Sequence, residues 1–363
     1  MVVTTHVRWA VVGCGWVASD YIIPAIADSL NGKVVALCDV SADAVRNALQ
    51  GAMKHAFDDA SDHTFDVALD NDVVTHAMVE RDPMPIYSFT SLDELLRFGE
   101  FDAVYIATPN VYHAEIAVAC AQSGKHVLCE KPMATCVTDA RRMVDACLSA
   151  NVSYATAYDQ RYHPAHVALR ACVARGDLGV ITQARIHYAC WLAPDWHADN
   201  WRIDPALAGG GAVLDLAPHA IDLLESVLGD TWTTLVALTQ HRVHSYVVDD
   251  GAVLAGRFAS DALGLLQVAY NCSETYPRRT LEVIGTRAHA LAIDTMGQTP
   301  GGRLTLTLAK TGETLGIPFD HQRSPFIGTV ETFSENILNH RVDTNSGQSD
   351  LRLFALLEQA TCH

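Results

Sequence analysis

Over its first 159 residues the chain alternates short apolar runs with segments whose apolar residues recur at helical spacing. The runs are short and rich in β-branched residues, which is typical of buried strands. The predicted strands are 8–13, 33–39, 101–108, 125–131 and 152–159, with helices predicted over 18–30, 114–124 and 134–151. This alternation predicts an α/β domain over residues 1–159, with a doubly wound parallel sheet.

One stretch interrupts the alternation. From about Gly51 to Ser88 the periodicity is weak and six aspartates occur within fifteen residues: 58, 59, 62, 66, 70 and 72. A strand-to-strand crossover does not require so much chain. We expect an acidic surface insertion at about 51–88, either a solvated excursion or a lid or subunit contact.

The pattern changes from about residue 180, where strand-like runs follow one another with few helices between them. The predicted strands are 180–190, 233–243, 251–260, 262–273, 279–285 and 303–310, and the predicted helices are 212–228, 325–340 and 349–360. Residues 160–363 are therefore expected to form an α+β domain with one large, mostly antiparallel open sheet. Such a sheet has a face that needs cover, so we expect a homodimer or homotetramer through it.

Charge and composition narrow the partners. The net charge is −17, which disfavours nucleic acid and anionic membranes. No uninterrupted apolar run reaches the ~18 residues of a membrane span, and no export signal is visible at the start. The ten cysteines form no CxxC pair, and most lie in apolar runs, as expected of free thiols in the cytoplasm. The pair in HRVH (241–244) has no third ligand nearby, so no metal site is predicted.

A glycine-rich turn follows the first predicted strand. In GCGWVA (13–18), Gly13 and Gly15 would let the backbone approach a pyrophosphate, with Trp16 and Val17 opening the next helix. Asp39 ends the next strand, where an acid accepts hydrogen bonds from an adenosine ribose. Together these features predict a Rossmann dinucleotide site. A carboxylate there repels a 2′-phosphate, so NAD is the expected cofactor and NADP the alternative.

Two further motifs end predicted strands at the same sheet edge, ATPNVYH (107–113) and CEKP (129–132), and a third is GGGAVLDLAPH (209–219). With these the chain resembles the glucose-fructose oxidoreductase, inositol dehydrogenase and rhizopine-catabolism family (Gfo/Idh/MocA). The resemblance runs in order through IATPNVYH, GKHVLCEKPMA and WRIDPALAGGGAVLDLAPHAIDLL, and the 51–88 insertion departs from it. The signature of the short-chain dehydrogenases is absent, since no Tyr has a Lys four residues later.

The resemblance implies an NAD(P)-dependent oxidoreductase that moves a hydride between a secondary alcohol of a sugar, inositol or related polyol and the nicotinamide. It implies that His219 takes the hydroxyl proton, that Asp215 positions His219 or the substrate, and that Lys131 lies near the reacting hydroxyl. An imidazole base, a nearby ammonium and an orienting carboxylate suit alcohol oxidation. The resemblance also implies a nicotinamide side formed by Thr108, Pro109, Asn110, His113, Glu130 and Lys131.

Substrate contacts are expected from two stretches that flank the predicted cleft, DQRYHP (159–164) and WLAPDWHADNWR (191–202). Aromatic rings there can stack on a sugar, and guanidinium groups can bind hydroxyls or a carboxylate. The candidates are Arg161, Tyr162, Trp191, Trp196, Trp201 and Arg202, in addition to Lys131, Asp215 and His219.

Two other functions stay open. A tightly bound cofactor would allow redox-neutral epimerisation, elimination or glycoside cleavage, and a cofactor-binding regulatory protein would need no catalysis. The geometry of the third motif is also open. Asp215 and His219 share a face if both are helical, yet Pro218 is expected to distort that helix or delay its start to near Leu216.

Overall fold

The computed structural model describes residues 5–57, 85–196, 200–277 and 279–361. Within them the first domain is a six-stranded sheet with the order β3-β2-β1-β4-β5-β6, and all its pairings are parallel. Its strands are β1 (Val7–Val12), β2 (Gly32–Cys38), β3 (Tyr87–Phe89), β4 (Ala103–Ile106), β5 (His126–Cys129) and β6 (Tyr154–Thr156). The chain order reverses beside β1, which is where dinucleotides bind in doubly wound sheets. The predicted parallel sheet is confirmed.

Helices cover both faces of this sheet. The first opens with a π-helical turn, Ala18–Ile22, before α1. The helices are α1 (Ile23–Asp28), α2 (Ala42–Phe57), α3 (Leu92–Phe98), α4 (His113–Gln122) and α5 (Val137–Ser149). The predicted start of the acidic insertion is wrong, because residues 51–57 continue α2. Its predicted end is wrong as well, because Tyr87 and Ser88 belong to β3. The rest of the insertion, 58–84, lies outside the described residues.

The second domain is an eight-stranded sheet in the described residues, with the order β14-β13-β12-β11-β7-β10-β9-β8. Only β7 and β10 pair in parallel, which confirms the mostly antiparallel sheet. Its strands are β7 (Ile181–Ala189), β8 (Trp232–Gln240), β9 (Gly251–Phe258), β10 (Leu263–Ala269), β11 (Arg279–Gly285), β12 (Ala288–Ile293), β13 (Arg303–Leu308) and β14 (Thr314–Gly316).

Helix α8 (Ala212–Leu228) packs on one face of the large sheet. The other helices of this half are α6 (Pro164–Ala174), α7 (Pro205–Ala208), α9 (Pro325–Leu338) and α10 (Asn345–Thr361). One described stretch, Pro205–Leu228, is long and apolar enough to cross a membrane, but 72% of its most apolar window is buried within this chain. Burial of that extent is typical of a core helix.

The chain returns to the first domain at its end. Phe326, Val330 and Phe333 of α9 lie in the same buried cluster as β1 and α1, and the indole of Trp9 donates a hydrogen bond to Ser334 at 3.1 Å. The predicted boundary at 159/160 stays a prediction about the sequence. In space, α9 covers the first sheet, and α10 packs against α5 and β6 of the first domain and against β8 and α8 of the second.

Candidate active site

The glycine turn after β1 is fixed by the end of β4. Gly13 has a φ of +93°, and a Cβ there would lie 2.6 Å from the carbonyl carbon of Ala107 and 2.7 Å from the amide of Thr108. Only glycine fits that conformation and that space. A Cβ on Gly15 would meet nothing within 4 Å, so the backbone of the turn faces open space. The arrangement suits the close approach of a pyrophosphate.

Asp39 lies directly after β2 and is tied to the same turn. One carboxylate oxygen accepts from the amide of Cys14 at 2.8 Å, and the other accepts from the amide of Ser41 at 2.8 Å. Two backbone donors therefore fix the carboxylate beside the turn, where an adenosine ribose would lie.

Two polar atoms beside this turn are buried with no hydrogen-bond partner among the described residues, the indole nitrogen of Trp16 and the hydroxyl of Thr108. Both residues line the cavity that opens between the two domains, which we call the main cavity because the predicted site residues meet there. Buried polar groups are rarely left unpaired without a reason. Together with the open space at Gly15, these atoms fit a nicotinamide dinucleotide.

The main cavity has a volume of about 290 Å³ and opens between the two domains. Its wall includes the predicted residues Trp16, Val17, Thr108, Asn110, Glu130, Lys131, Trp191, Trp196, Trp201, Arg202, Asp215 and His219. Residues far apart in sequence thus meet at one place. The described residues contain no cluster of three His, Cys, Asp or Glu side chains that could hold a metal.

Lys131 follows β5 and reaches across the cavity to α8. Its ammonium donates to the Asp215 carboxylate at 2.6 Å and to the Asp215 main-chain carbonyl at 3.0 Å. Burial alone would raise the pKa of Asp215, but the charges of Lys131 and Arg202 outweigh burial and lower it. Asp215 is therefore an ionised partner that holds the ammonium in place.

Glu130 lies on the other side of Lys131. It accepts a hydrogen bond from the Tyr105 hydroxyl at 2.7 Å and one from the Lys131 amide at 3.1 Å. Burial raises the pKa of Glu130 against the opposing charge of Lys131. The Glu130 carboxyl therefore fixes the main chain at Lys131 from within the first domain.

His219 lies one turn beyond Asp215 in α8, which runs without a break from Ala212 although it contains Pro218. The expected pairing of His219 with Asp215 is not found, because the Asp215 carboxylate is bound to Lys131. The carboxylate nearest the imidazole is that of Asp159, whose Oδ1 lies 3.4 Å from Nδ1. Burial, aided by the charge of Lys131, lowers the pKa of His219, so the imidazole is neutral at neutral pH.

Asp159 is a site residue that the sequence argument missed. It follows β6 and is only 3% exposed, and its second oxygen accepts from the Gln160 amide at 2.7 Å. Burial and the nearby Glu130 raise the pKa of Asp159 to about 7. Its position at the end of a parallel strand was the available signal, since ligands of such sheets bind at that edge.

The aromatic loop forms a stack around one guanidinium. The Arg202 guanidinium lies 4.6 Å from the Trp201 ring and 5.8 Å from the rings of Trp16 and Trp196. The stack joins the loop before α7 to the turn after β1. Trp16 belongs to the predicted cofactor turn, and Arg202 contacts the turn through it. Arg202 and the three tryptophans all line the cavity.

Two predicted substrate residues lie elsewhere. Arg161 donates to the buried carboxylate of Asp222 and lies 3.4 Å from Asp350, so its guanidinium is used in packing. Tyr162 packs against Gly328 of α9, and neither residue lines the main cavity. The predicted binding roles of both are wrong for this geometry, because long-range partners turn these side chains away.

Replacing Arg161 by Met tests that assignment. The change leaves Asp222 and Asp350 buried without their cation, and we expect the protein to lose about 3–5 kcal/mol of stability. The KM for substrate should change little, because no contact with the cavity is lost. Thermal unfolding and steady-state kinetics measure the two effects. A large rise in KM with an unchanged melting temperature would restore Arg161 as a substrate residue.

His113 was expected beside the nicotinamide ribose, but it is fully buried behind the cavity wall. Its two ring nitrogens lie 3.0 Å from the Pro132 carbonyl and 2.9 Å from the Thr108 carbonyl. It therefore joins the loops that carry Thr108 and Lys131 and does not line the cavity. Pro109 also lies outside the cavity lining, whereas Asn110 lines it and donates to the Ala208 carbonyl at 2.9 Å.

None of the three glycines before α8 lines the cavity. Asp249 packs against the last of them, Gly211. Its carboxylate accepts from the amides of Gly211 at 3.0 Å and Val213 at 2.8 Å, and its main chain leaves no room for a Cβ on Gly211. Asp249 thus caps the start of the helix that carries Asp215 and His219.

The large sheet contributes further cavity residues that the sequence argument missed. The Tyr188 ring packs edge-on against His219 with the ring centres 5.8 Å apart. The set from the strands and loops of this sheet comprises Tyr188, Tyr270, Glu274, Arg279 and Gln298, and Gln160 joins it from the turn after β6. Strand periodicity alone did not show which ends of these strands meet the cleft.

Comparisons with known proteins agree with this fold. Residues 7–158 match the model of an oxidoreductase family with an NAD-binding Rossmann fold, and residues 166–291 match the GFO/IDH/MocA C-terminal domain. A 1,5-anhydro-D-fructose reductase from Ensifer adhaerens is 32% identical over 304 residues, 84% of this chain and 80% of that protein. A myo-inositol 2-dehydrogenase from Thermotoga maritima is 26% identical over 74% of this chain and 78% of its own length.

Among solved structures, an aldose-aldose oxidoreductase from Caulobacter crescentus superposes with a TM-score of 0.78. It is 22% identical, and the match covers 98% of this chain and 97% of that chain, so the likeness concerns the fold. The Rossmann match, the C-terminal match and the relative at 32% identity together identify the family. The chain belongs to the Gfo/Idh/MocA family of NAD-binding oxidoreductases.

Proposed function

We propose that this protein is an NAD-dependent dehydrogenase or reductase of a sugar or polyol, with the reacting carbon held between Lys131 and His219. The observation that carries the proposal is the meeting of the Lys131–Asp215 pair and His219 in one cavity beside the Gly13 turn. The relatives named as sugar and inositol oxidoreductases support the same substrate class.

The residues divide the work of alcohol oxidation. Bound NAD would supply the hydride acceptor. The neutral imidazole of His219 takes the hydroxyl proton, and the Asp159 carboxylate 3.4 Å away stabilises the imidazolium that forms. The Lys131 ammonium, which Asp215 holds in place at 2.6 Å, stabilises the developing alkoxide. In the reductive direction the same groups act in reverse, with His219 donating the proton.

The direct test is a screen of the purified chain with NAD against neutral and acidic sugars, inositols and alditols, following NADH absorbance. Formation of NADH that depends on substrate and is lost in His219→Gln supports the proposal. Substrate conversion without net NADH, on a cofactor that copurifies, would instead indicate redox-neutral chemistry. Cofactor binding with no conversion of any compound would indicate a regulatory protein.

Cofactor preference depends on Asp39. We expect NADH to bind more tightly than NADPH, because a 2′-phosphate would face a fixed carboxylate. Asp39→Asn should reduce the ratio of the NADPH dissociation constant to the NADH dissociation constant about tenfold, because it removes that charge. Fluorescence titration with both cofactors measures the ratio, and Asp43→Asn, on the exposed start of α2, is the matched control. An unchanged ratio in Asp39→Asn would contradict the assignment.

We further propose that the protein is a homo-oligomer in the cytoplasm. The face of the large sheet away from α8 exposes Val236 (56%), Leu238 (79%) and Val253 (43%), with Leu263 and Leu265 beside them. Register places Leu238 opposite Val253, so these side chains form a continuous apolar surface. The nine described cysteines are free thiols, which suits a reducing compartment.

A charge placed in that surface tests the interface. Leu238→Lys should convert the wild-type dimer or tetramer into a smaller species, because an unpaired ammonium would be buried between subunits. Light scattering after size exclusion gives the mass of both proteins. A wild-type protein that is monomeric at micromolar concentration would contradict the proposal.

A further inference from the structure

Two guanidinium groups line the cavity: Arg202 stacks on tryptophan rings, whereas Arg279 has neither an ion pair nor an aromatic ring as partner among the described residues. Arg279 begins β11 and lines the cavity, and its Nε is buried without a hydrogen-bond partner among the described residues. No carboxylate of the described chain forms an ion pair with it, although the protein as a whole carries a net charge of −17. A partly buried cation without a partner is costly unless an anion arrives to pair with it.

Register places this cation beside the catalytic base. Arg279 is directly opposite Tyr188 in the antiparallel pair of β11 and β7, so the two side chains share one face of the sheet. Tyr188 packs edge-on against His219 at 5.8 Å on that same face. The guanidinium therefore lies next to the residues that would hold the reacting carbon.

The nearest acid of the same strand is out of reach. Glu282 is three residues along β11, so it projects from the opposite face, where it pairs with Arg185 and His289. Several other guanidinium groups pair with acids, for example Arg161 with Asp222 and Asp350. Arg279 differs from Arg161 because it lines an open cavity, whereas Arg161 packs against buried acids.

The cofactor does not account for Arg279. The dinucleotide phosphates are expected at the Gly13 turn in the first domain, and Arg202 is the cavity arginine that stacks near that turn, on Trp16. Around Arg279 lie Gln298 and Gly297, whose carbonyl accepts from the Gln160 amide at 2.9 Å. None of these neighbours belongs to the Gly13 turn, so we assign the missing anion to the substrate.

We propose that Arg279 binds a carboxylate carried by the substrate, so that the preferred substrate is a sugar or polyol acid such as a uronate or aldonate. This rests on the proposed dehydrogenase function. The planar guanidinium fork matches a planar carboxylate in two hydrogen bonds. A phosphate dianion fits less well, because Asp159 lines the same cavity and a single guanidinium would have to balance two charges.

Matched substrate pairs test the proposal. The full chain with NAD is assayed on D-glucose against D-glucuronate and on D-galactose against D-galacturonate, with glucose 6-phosphate as a further arm. We expect the acid of a pair to have a kcat/KM about 10- to 100-fold higher, as for one charge-assisted hydrogen-bonded contact. Arg279→Gln should bring the acid-to-neutral ratio to about one through a higher KM for the acid, and Arg279→Lys should give an intermediate ratio.

Arg142→Gln is the matched control, since Arg142 is exposed on α5 and pairs with Asp139 away from the cavity. Its acid-to-neutral ratio should equal that of the wild type. Equal kcat/KM for acid and neutral sugars in the wild type would overturn the proposal while leaving the dehydrogenase function intact. A ratio unchanged by Arg279→Gln, or a preference for glucose 6-phosphate over the uronates, would overturn it too.

A binding measurement separates this inference from the proposed function. With saturating NADH, D-glucuronate should raise the melting temperature of the wild type and of Arg142→Gln, but not that of Arg279→Gln. If no sugar is oxidised, that pattern still supports an anion site at Arg279 while the proposed function fails. If glucuronate shifts the wild type and Arg279→Gln equally, or shifts neither, the site is refuted.

Discussion

Lys131→Met is expected to lower kcat/KM for alcohol oxidation by about a thousandfold or more. The ammonium is the cation closest to the place where alkoxide charge develops, and loss of one preorganised donor costs 10²–10³ in rate. The substitution also leaves Asp215 without the partner it has at 2.6 Å, so a negative charge would face the forming alkoxide. Steady-state kinetics with the best substrate of the screen measures the loss.

Two further variants make this result specific. Lys310→Met removes an exposed lysine at the end of β13 and should leave kinetics at the wild-type level. In the double variant Lys131→Met with Asp215→Asn, stability should recover because the stranded charge is gone, whereas activity should stay low. NADH binding by fluorescence should persist in all three. If Lys131→Met kept a tenth of the wild-type kcat/KM, the proposed role of Lys131 would be wrong.

Much of this site follows from local sequence. Strand periodicity places the Gly13 turn, Thr108 and Lys131 at the carboxyl ends of β1, β4 and β5, and parallel strands bring those ends to one edge. Asp215 and His219 are four residues apart, which puts them on one face once the helix forms. The distortion expected from Pro218 did not shift the start of the helix, since Asp249 caps it at Gly211.

The pairing of charges was not predictable in the same way. The local sequence predicts that Arg161 lies in the cleft, yet its partners Asp222 and Asp350 are 61 and 189 residues away in α8 and α10. The carboxylate nearest His219 is that of Asp159, 3.4 Å away without a hydrogen bond, and the partner of Asp215 is Lys131, because the two domains meet across the cleft. Such choices depend on which face of each element turns inward, and that is set by tertiary packing.

His219→Gln is expected to lower kcat for oxidation by about 10²–10⁴, the usual contribution of a positioned general base. Glutamine keeps most of the volume of the side chain but cannot take a proton. The matched control is His55→Gln, because His55 is exposed near the end of α2 and pairs with Asp28 away from the cavity. A comparable loss in both variants would point to structural damage and contradict the assignment.

The pH dependence separates the base from its partner. The groups that face His219 are Asp159, Tyr188, Asp215 and Lys131. Burial lowers the pKa of His219, so its own protonation limits oxidation only well below pH 6.5. Asp159 has a pKa of about 7, so its stabilising charge appears as the pH rises through 7. The wild-type kcat/KM should therefore rise through pH 7, and Asp159→Asn should lose that limb and stay low.

The difference in stability between the wild type and Asp159→Asn should change with pH. The pKa of Asp159 in the folded protein, about 7, is above the ordinary 3.8, so the folded state binds more protons between these values. The carboxyl therefore costs stability progressively as the pH rises from 4 to 7, by up to about 4 kcal/mol. Asp159→Asn removes that cost, so its melting temperature should exceed that of the wild type more at pH 8 than at pH 5. A constant difference would mean that Asp159 ionises normally, and His219 would then have a charged partner throughout the neutral range.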